Sequence, residues 1–378
     1  MDRRFVAVGA TALLIGAVAA PSMAQSPSIT PGGWTVLAQG LDAPRGIAIG
    51  PGGTLYVTET GEGGLTTVTT PRGDAKVGLS AAITTITDGM GARLVEGLPS
   101  LVIGTEVLGP ADVVIRDDGT LVVPFALGGG PELRAAIPVP FATHLGWLTT
   151  IAPDGIVRDV ADLAAWEAAN DPDATEAGPS IDSNPNGVAL VPDGGTLVAD
   201  AGGNDLVWAR DDGTIILVAV FPPSMSAAPL DPNAPADAPA SPGMVPTQAV
   251  PTSVVVGPDM AMYVGFLTGF QFPVGGSSVL RVQQDGTSEV YATGFTNVID
   301  LAFDRDGTLY VLEVDHDGLL GGDVAGGLWS VPFGGGAPTL LSTDLVMPGG
   351  IAVGRDGTLF VTTGTSMPNA GSVVRWKP

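Results

Sequence analysis

Short apolar stretches alternate with glycine-containing turns along almost the whole chain. LDAPRGIAIGPGGTLYVTE, residues 41–59, has one short apolar strand, a Gly-Gly turn, and a second strand with leucine, tyrosine and valine. FTNVIDLAFDRDGTLYVLE, residues 295–313, repeats this arrangement with Asp-Gly at the turn. Asp-Gly between two apolar runs is a strong hairpin signal, because glycine accepts the positive φ that such turns need. The pattern therefore predicts a chain of repeated β-hairpins.

This hairpin pattern occurs six times in the sequence. The other four copies are LGPADVVIRDDGTLVV (108–123), NPNGVALVPDGGTLVAD (184–200), VPTSVVVGPDMAMYVG (250–265) and MPGGIAVGRDGTLFVT (347–362). Another strand pair follows each hairpin, and the later turns recur about every 50 residues, a period typical of β-propeller blades. A sandwich of unrelated hairpins would not place six copies in register. We predict an all-β fold, a six-bladed β-propeller with four-stranded blades.

The two ends of the chain predict how the ring closes. After the last hairpin only GSVVRWKP remains, which leaves that blade one strand short. A spare strand, GWTVLAQGL, stands at residues 33–41. Pairing the two would remove the exposed sheet edges that invite aggregation. In the first blade, LTTVTTPRGDAKV, residues 65–77, is expected to supply the outer strand pair.

Two inserted segments depart from the hairpin pattern. Residues 159–169, DVADLAAWEAA, have helical spacing and predict one short helix. Residues 222–249 are rich in proline and alanine without any period, and predict a mobile extended loop. Long loops on a rigid scaffold are common places for binding.

The N-terminal residues have the features of a secretory signal peptide. Two arginines precede an apolar stretch over residues 5–20, and PSMA offers small residues at the cleavage positions. We therefore expect a signal peptide over residues 1–24 and a single propeller domain over residues 25–378. The predicted location is the periplasm or the extracellular space, with no membrane span after cleavage. A retained N-terminal anchor is the alternative.

Composition narrows the classes of function. The chain has no cysteine, which excludes disulfides and thiolate chemistry. The formal net charge of −24 repels nucleic acid and anionic membranes, so neither is an expected partner. We expect instead a small molecule or a protein as the partner, bound at the channel mouth and the loops.

The lead-in residues, those directly before and at the start of each first strand, differ between copies although the turns and strands repeat. In a propeller the first strands line the central channel, so these residues lie at one mouth. The turns repeat because all blades pack alike, and the lead-in residues vary because they face one shared asymmetric site. Alternatively, these polar side chains only cap the turns. The ligand-binding candidates are Arg45, Asn184, Asn297 and Asp200.

Acidic and amide side chains at the same mouth suggest two kinds of chemistry. Carboxylate and amide oxygens are the ligands of hard cations such as Ca²⁺, and the metal-ligand candidates are Asp112, Asn186 and Asp300. Carboxylates and imidazoles also serve acid–base catalysis, and the candidates for it are Glu59, Glu313 and His316. NDPDATE (170–176) and DHDG (315–318) have some likeness to calcium loops but lack the EF-hand spacing.

The hairpin repeats resemble NHL/TolB-like propellers. More specifically, WEAANDPD, IDSNPNGVAL, ADAGGNDL, YVGFLTGFQFPVG and YATGFTNVIDLAFDRDGTLYVLE are similar to the ScyD/ScyE family. That resemblance implies an exported six-bladed propeller, named after gene clusters for a sunscreen pigment. NPNGVALVPDGGTLVAD is also similar to the gluconolactonase/regucalcin segment with a calcium-ligand asparagine, which would be Asn186. This chain departs from that group at Ala111, Thr252 and Ile299, where oxygen ligands or an acid would be needed.

Three functions remain open on these grounds. The first is a scaffold that binds a ligand or protein, and the second is an accessory role in secondary metabolism. The third is a calcium-dependent hydrolase or lyase of the lactonase kind, with its site at the acidic mouth. Whether the chain is an enzyme is left undecided. FLTGFQFPV, residues 266–274, would serve a scaffold as an apolar patch, or else its phenylalanines cap the core of the fourth blade.

Overall fold

The computed structural model of the protein describes residues 32–174, 181–192, 194–227 and 244–378. These residues form six antiparallel blades in a propeller ring, which confirms the predicted fold class. The predicted signal peptide lies outside the described residues. In the described part of the chain, no helix has the length and apolarity that a membrane crossing requires.

The first three blades follow one another along the chain. The strand that precedes them is β1 (Thr35–Leu41). Blade I contains β2 (Pro44–Ile49), a 3-10 helix (Pro51–Gly53), β3 (Leu55–Glu59), β4 (Thr66–Thr70), β5 (Gly73–Thr87), β6 (Met90–Ile103) and β7 (Glu106–Leu108). Blade II contains β8 (Val114–Ile115), β9 (Leu121–Pro124), α1 (Pro131–Ala136), β10 (Trp147–Ile151), β11 (Val157–Asp162) and the appended α2 (Leu163–Asn170). Blade III contains β12 (Pro185–Leu190), β13 (Thr196–Asp200), β14 (Asp205–Ala209) and β15 (Ile215–Val220).

The remaining blades follow a separate hairpin, β16 (Ser224–Ala227) with β17 (Met244–Thr247). Blade IV contains β18 (Pro251–Val256), β19 (Met262–Phe266), β20 (Ser277–Val282) and β21 (Ser288–Phe295). Blade V contains β22 (Val298–Phe303), β23 (Leu309–Glu313), β24 (Ala325–Val331) and β25 (Thr339–Val346). Blade VI contains β26 (Pro348–Val353), β27 (Leu359–Thr363) and β28 (Gly371–Trp376).

The N-terminal strand closes the ring as expected. Strand β1 pairs antiparallel with β28 and becomes the outermost strand of blade VI. Trp34, just before β1, is 1% exposed, and its ring lies 5.5 Å from that of Trp376. Around the channel, the first strand of each blade contacts the first strand of the next. The apolar clusters lie between neighbouring blades, as Ile47 and Val373 illustrate for blades I and VI.

Blade I differs from the expectation. Its third and fourth strands are β5 and β6, and not residues 65–77. Strand β5 is 15 residues long, so its C-terminal half pairs with β3 while its N-terminal half pairs with the extra strand β4. The turn at residues 71–72 thus begins an additional ribbon and not the outer edge of the blade.

The two inserted segments also need correction. Residues 157–162 extend blade II as β11, and the helix begins only at Leu163, because the Asp162 side chain caps it by accepting from Ala165 N at 3.1 Å. In the segment 222–249, the ends pair as β16 and β17. The middle of the predicted mobile loop, residues 228–243, lies outside the described residues. In FLTGFQFPV, Phe266 is buried in the core while Phe270 is 68% exposed.

Candidate functional site

Helix α2 with the residues after it, the segment before β12 and the β13–β14 turn of blade III bring six acidic side chains together on the lead-in face. They are Glu167, Asp171, Asp173, Asp182, Asp200 and Asp205. Glu167, Asp171 and Asp173 each place a carboxylate oxygen within 4.8 Å of the other two. We call these six residues the acidic centre.

Local backbone structure positions the first three acids. Asp171 has a left-handed φ of 40°, and its N–H donates to Glu167 O at 2.7 Å, which ends α2. This conformation changes the chain direction after α2, and the Asp173 carboxylate therefore lies near that of Glu167. Asn204 Nδ2 donates to Asp173 Oδ2 at 2.8 Å and ties this turn to blade III.

The β13–β14 turn supplies two more acids. Asp200 and Asp205 are directly opposite each other in the antiparallel pair. Side chains at opposite positions lie on the same face about 5 Å apart, so two aspartates there repel each other. Gly203, within this turn, lies next to the helix, because a Cβ on it would be 3.0 Å from Glu167 Oε2 and 3.6 Å from Asp200 Cγ. The turn and the helix thus face each other through their carboxylates.

Several carboxylate oxygens of the acidic centre are buried without a hydrogen-bond partner among the described residues. Asp205 and Glu167 are each 1% exposed. The buried unpaired atoms are both carboxylate oxygens of Asp205, Glu167 Oε2, Asp171 Oδ1 and Asp182 Oδ1. Buried polar atoms are normally bonded, so unpaired ones need an explanation.

Burial and like charges raise the pKa values of three acids of the acidic centre. Burial, and then the charges of Asp200 and the neighbouring acids, raise the pKa of Glu167 to about 8. The same two causes raise the pKa of Asp182 to about 6 and that of Asp205 well above its usual range. The one arginine that opposes this on Asp182 is Arg72. These acids therefore keep their protons to higher pH than free carboxyls do, unless a cation offsets their mutual repulsion.

A bound hard cation would account for this arrangement. Ca²⁺ takes six to eight oxygen ligands at about 2.3–2.6 Å, so ligands on opposite sides of one ion are about 5 Å apart. The 4.8 Å spread of Glu167, Asp171 and Asp173 fits that spacing. The donor set contains carboxylates and no sulfur or imidazole, which suits calcium over softer metals. Glu167, Asp171 and Asp173 would hold the ion, and the carboxylate of the neighbouring Asp205, on which the charges of Glu167 and Asp173 act, would strengthen its binding.

Two of the predicted ligand-binding residues lie at this centre. Asp200 is one of its six acids, and it accepts from Ser183 Oγ, Asn184 N and two glycine N–H groups. Asn184 leads from the centre into β12, and its Oδ1 is buried without a partner. Their assignment as ligand-binding residues stays a prediction.

The predicted metal ligands Asp112 and Asp300 lie elsewhere, in blades opposite each other across the ring. Asp112 accepts from Val113 N at 2.7 Å and from Val188 N of the next blade at 2.9 Å. Asp300 accepts from Ser253 Oγ at 2.8 Å, Leu301 N at 2.8 Å and Ile351 N at 2.7 Å. Their oxygens thus join neighbouring blades.

Asn186, the third predicted metal ligand, is part-exposed on β12 and is not among the acidic centre. Burial is the main cause that raises the pKa of both Asp112 and Asp300, and their mutual repulsion adds to it for Asp112. A metal site of Asp112, Asn186 and Asp300 stays a prediction.

The candidates for acid–base chemistry form two separate pairs. Glu59 is fully buried and accepts from Arg93 Nη2 at 2.9 Å. Glu313 is equally buried, and its Oε2 lies 2.6 Å from Nδ1 of the part-exposed His316. Both carboxylates also accept from a backbone N–H that leads into their own blade, Asp42 N and Thr296 N. Each pair therefore stabilises its blade, and only the second includes an imidazole.

The last two ligand-binding candidates differ in their bonding. Asn297 bridges blades, because its Nδ2 donates to Leu267 O at 2.8 Å and its Oδ1 accepts from Leu319 N at 3.2 Å. Arg45 Nε and Nη1 are buried with no acceptor among the described residues. One of the two is thus occupied by the fold, and the other is not.

The sequence offered only a weak signal for the acidic centre. NDPDATE contains Asp171 and Asp173, and its likeness to a calcium loop pointed to the right segment. Glu167, Asp182 and Asp205 were missed, because they stand in separate segments of the sequence and only the packing of α2 on blade III brings them together.

No protein-family model and no curated protein matches this sequence. Solved structures share its fold. A protein of unknown function from Bacteroides thetaiotaomicron is 10% identical over 88% of this chain and 69% of its own, with a TM-score of 0.54. The calcium-binding protein regucalcin from Agrobacterium tumefaciens is 12% identical over 90% and 92%, with a TM-score of 0.50. Virginiamycin B lyase from Staphylococcus aureus is 14% identical over 89% and 84%, with a TM-score of 0.46. At such identities the likeness shows the propeller fold alone.

Proposed function

We propose that the protein is an exported binding scaffold whose lead-in face is organised by Ca²⁺ at the acidic centre. The observation that carries the calcium site is the set of buried, unpaired carboxylate oxygens on Asp205 and Glu167. A cation there would join α2 to blade III and offset the repulsion between Asp200 and Asp205. The resemblance to the ScyD/ScyE family supports export and an accessory role in secondary metabolism.

Export and calcium support each other physically. Calcium sites of extracellular modules have dissociation constants of about 10⁻⁴–10⁻³ M, weak enough that only the calcium-rich exterior fills them. In that setting the ion would act as a structural ligand that is present whenever the protein works. The partner, a small molecule or a protein, would bind at the ordered loops beside it.

The test is thermal unfolding of residues 25–378 with calcium and with chelator, in the wild type and Asp205→Asn. Calcium at about 100 times its dissociation constant should stabilise the wild type by about 2.7 kcal/mol. Asp205→Asn should lose most of this gain, yet be at least as stable as the wild type in chelator, because it removes one of the repelling charges. Asp117→Asn, at an exposed acid away from the centre, should keep the full calcium response.

Two results would refute the calcium site. One is a wild type whose unfolding temperature is the same in calcium and in chelator. The other is an Asp205→Asn variant that responds to calcium like the wild type. Isothermal titration with Ca²⁺ would then show no binding that depends on Asp205.

A calcium-dependent hydrolase or lyase is the second candidate, favoured by the Glu313–His316 pair. A buried carboxylate that holds Nδ1 of a part-exposed imidazole is the arrangement of an oriented general base. The same contact also gives a buried carboxylate a bonding partner, as Arg93 does for Glu59, so the scaffold remains the leading proposal. Turnover of lactones or esters that chelator stops would favour the enzyme, and no turnover across such a panel would remove it.

A further inference from the structure

The guanidinium of Arg45, at the channel mouth, has no hydrogen-bond partner for two of its nitrogens in the described part of the chain. Arg45 is the second residue of β2, and its Nε and Nη1 atoms are buried. No group of the described residues accepts from them, although the residue keeps part of its surface exposed. Burying a charged donor without an acceptor costs free energy, so such a donor in a stable fold points to a missing partner.

No carboxylate of the described chain forms a hydrogen bond or ion pair with this guanidinium. The acid whose charge acts on Arg45 is Glu106, and Glu106 Oε2 already accepts from Arg72 Nη2 at 3.0 Å. Burial therefore lowers the pKa of Arg45, with Glu106 only partly opposing it. In contrast, Arg93 and Arg134 bind carboxylates directly. The chain has 39 acidic and 15 basic residues, so a purely structural arginine had many possible partners.

Small residues flank Arg45 in the neighbouring blades. Ala111 of blade II lies beside this part of β2, because its carbonyl oxygen accepts from Gly46 N at 3.0 Å. On the other side is Gly349, where a Cβ would lie 3.1 Å from Arg45 Cα and 2.8 Å from Thr365 Oγ1. The Thr365 hydroxyl is buried and also has no partner. Two unused polar groups thus occur on the same side of the ring.

We infer that the channel mouth binds a small molecule through its carboxylate, with Arg45 as the main donor and the Thr365 hydroxyl beside it. The planar guanidinium matches a carboxylate in two parallel hydrogen bonds. A singly charged group suits this position better than a phosphate dianion, because Gly46, the next residue along β2, lies close to the acidic side chain of Asp112. A Cβ on Gly46 would lie 2.5 Å from Asp112 Oδ1.

The test is binding of benzoate and acetate to the calcium-loaded protein at constant ionic strength, by calorimetry or by the shift in unfolding temperature. Arg45→Gln should weaken binding of these carboxylates at least tenfold. Arg281→Gln removes an arginine that already pairs with Asp259 and Glu289, and should leave the affinity within about threefold. Asp205→Asn should also retain carboxylate binding, so that failure of the calcium proposal can be told apart from failure of this one.

Three results would overturn the inference: no binding of either carboxylate to the wild type, equal binding by Arg45→Gln, or binding of inorganic phosphate alone. If Arg45→Gln does not fold, crystals of the wild type grown with 4-bromobenzoate decide the question. The anomalous peak of bromine should then lie in the channel mouth with the carboxylate at Arg45. A peak elsewhere, or none, would contradict the site.

Discussion

Two aspartates, the part-buried Asp300 and the buried Asp205, show how local bonding decides what a carboxylate does. Asp300 accepts three hydrogen bonds, from Ser253, Leu301 and Ile351, and so joins three blades at the channel. Asp205 accepts none from the described residues, and the charges of other acids act on it. The first carboxylate is satisfied by the fold, while the second is left for the proposed cation.

Replacing Asp300 with alanine should therefore harm the fold and leave the calcium response intact. The change strands three donors, and hydrogen bonds to charged groups contribute about 1.5–3 kcal/mol each, without strict additivity. We expect a loss of about 3 kcal/mol or more in the free energy of unfolding, measured with urea. The gain on adding calcium should equal that of the wild type. A variant that loses its calcium response while keeping its stability would instead support the predicted metal role of Asp300.

At the scale of elements, the ring depends on one strand from the far end of the chain. Strand β1 supplies the outer edge of blade VI, and Trp34 packs beneath it against Trp376. This contact joins positions more than 300 residues apart in sequence, as the Trp34 bond to Ser342 also does. The strand is held by side-chain burial as much as by its backbone ladder.

Trp34→Ala should accordingly destabilise the whole propeller by about 3–5 kcal/mol, the usual cost of emptying a buried aromatic site. Urea unfolding measures the effect. Leu65→Ala is the control, because that side chain is fully exposed and its removal should change stability by less than about 0.5 kcal/mol. Equal effects of the two substitutions would show that closure does not depend on Trp34.

At the scale of the whole molecule, the acidic residues considered fall into two classes, exposed acids in turns and acids whose pKa burial raises. Hydrogen bonds from their own turns lower the pKa of exposed turn aspartates such as Asp118 and Asp285. Burial first, and then like charges, raise the pKa of Asp112 and of Glu167, the latter to about 8. The turn acids stabilise the fold only above their own low titration range, and that contribution is constant above about pH 5.

The metal-free protein should therefore lose stability as pH rises from 5 to 8.5. Unfolded carboxyls are ionised throughout this range, whereas the raised groups still bind protons when folded, so the folded state holds more protons and deprotonation favours unfolding. Unfolding temperatures in chelator at pH 5, 6.5 and 8.5 measure this. Calcium should reduce the fall, because the ion replaces protons among the carboxylates. A flat or rising profile in chelator would contradict the raised pKa values.

Much of this architecture follows from the sequence alone. Six hairpins, five of them with Asp-Gly or Gly-Gly turns, predict the blades, and a spare strand at one end with a missing strand at the other predicts the closure. These signals are local, since strand period and turn geometry depend on neighbouring residues. The outer strands of blade I were misassigned, because the length of β5 is set by its two partners and not by its own pattern.

The sites depended on tertiary structure. The lead-in position of a residue could not show whether the fold satisfies its side chain. Asp300 accepts hydrogen bonds from neighbouring blades, whereas no described group accepts from the buried donors of Arg45. The acidic centre required α2 to fold onto blade III, which brings Glu167 to Asp205 across 38 positions of sequence. The sequence by itself determined which elements form, because backbone geometry is local. Only the packed ring decided which polar groups remain without partners, because that depends on contacts between residues far apart in the chain.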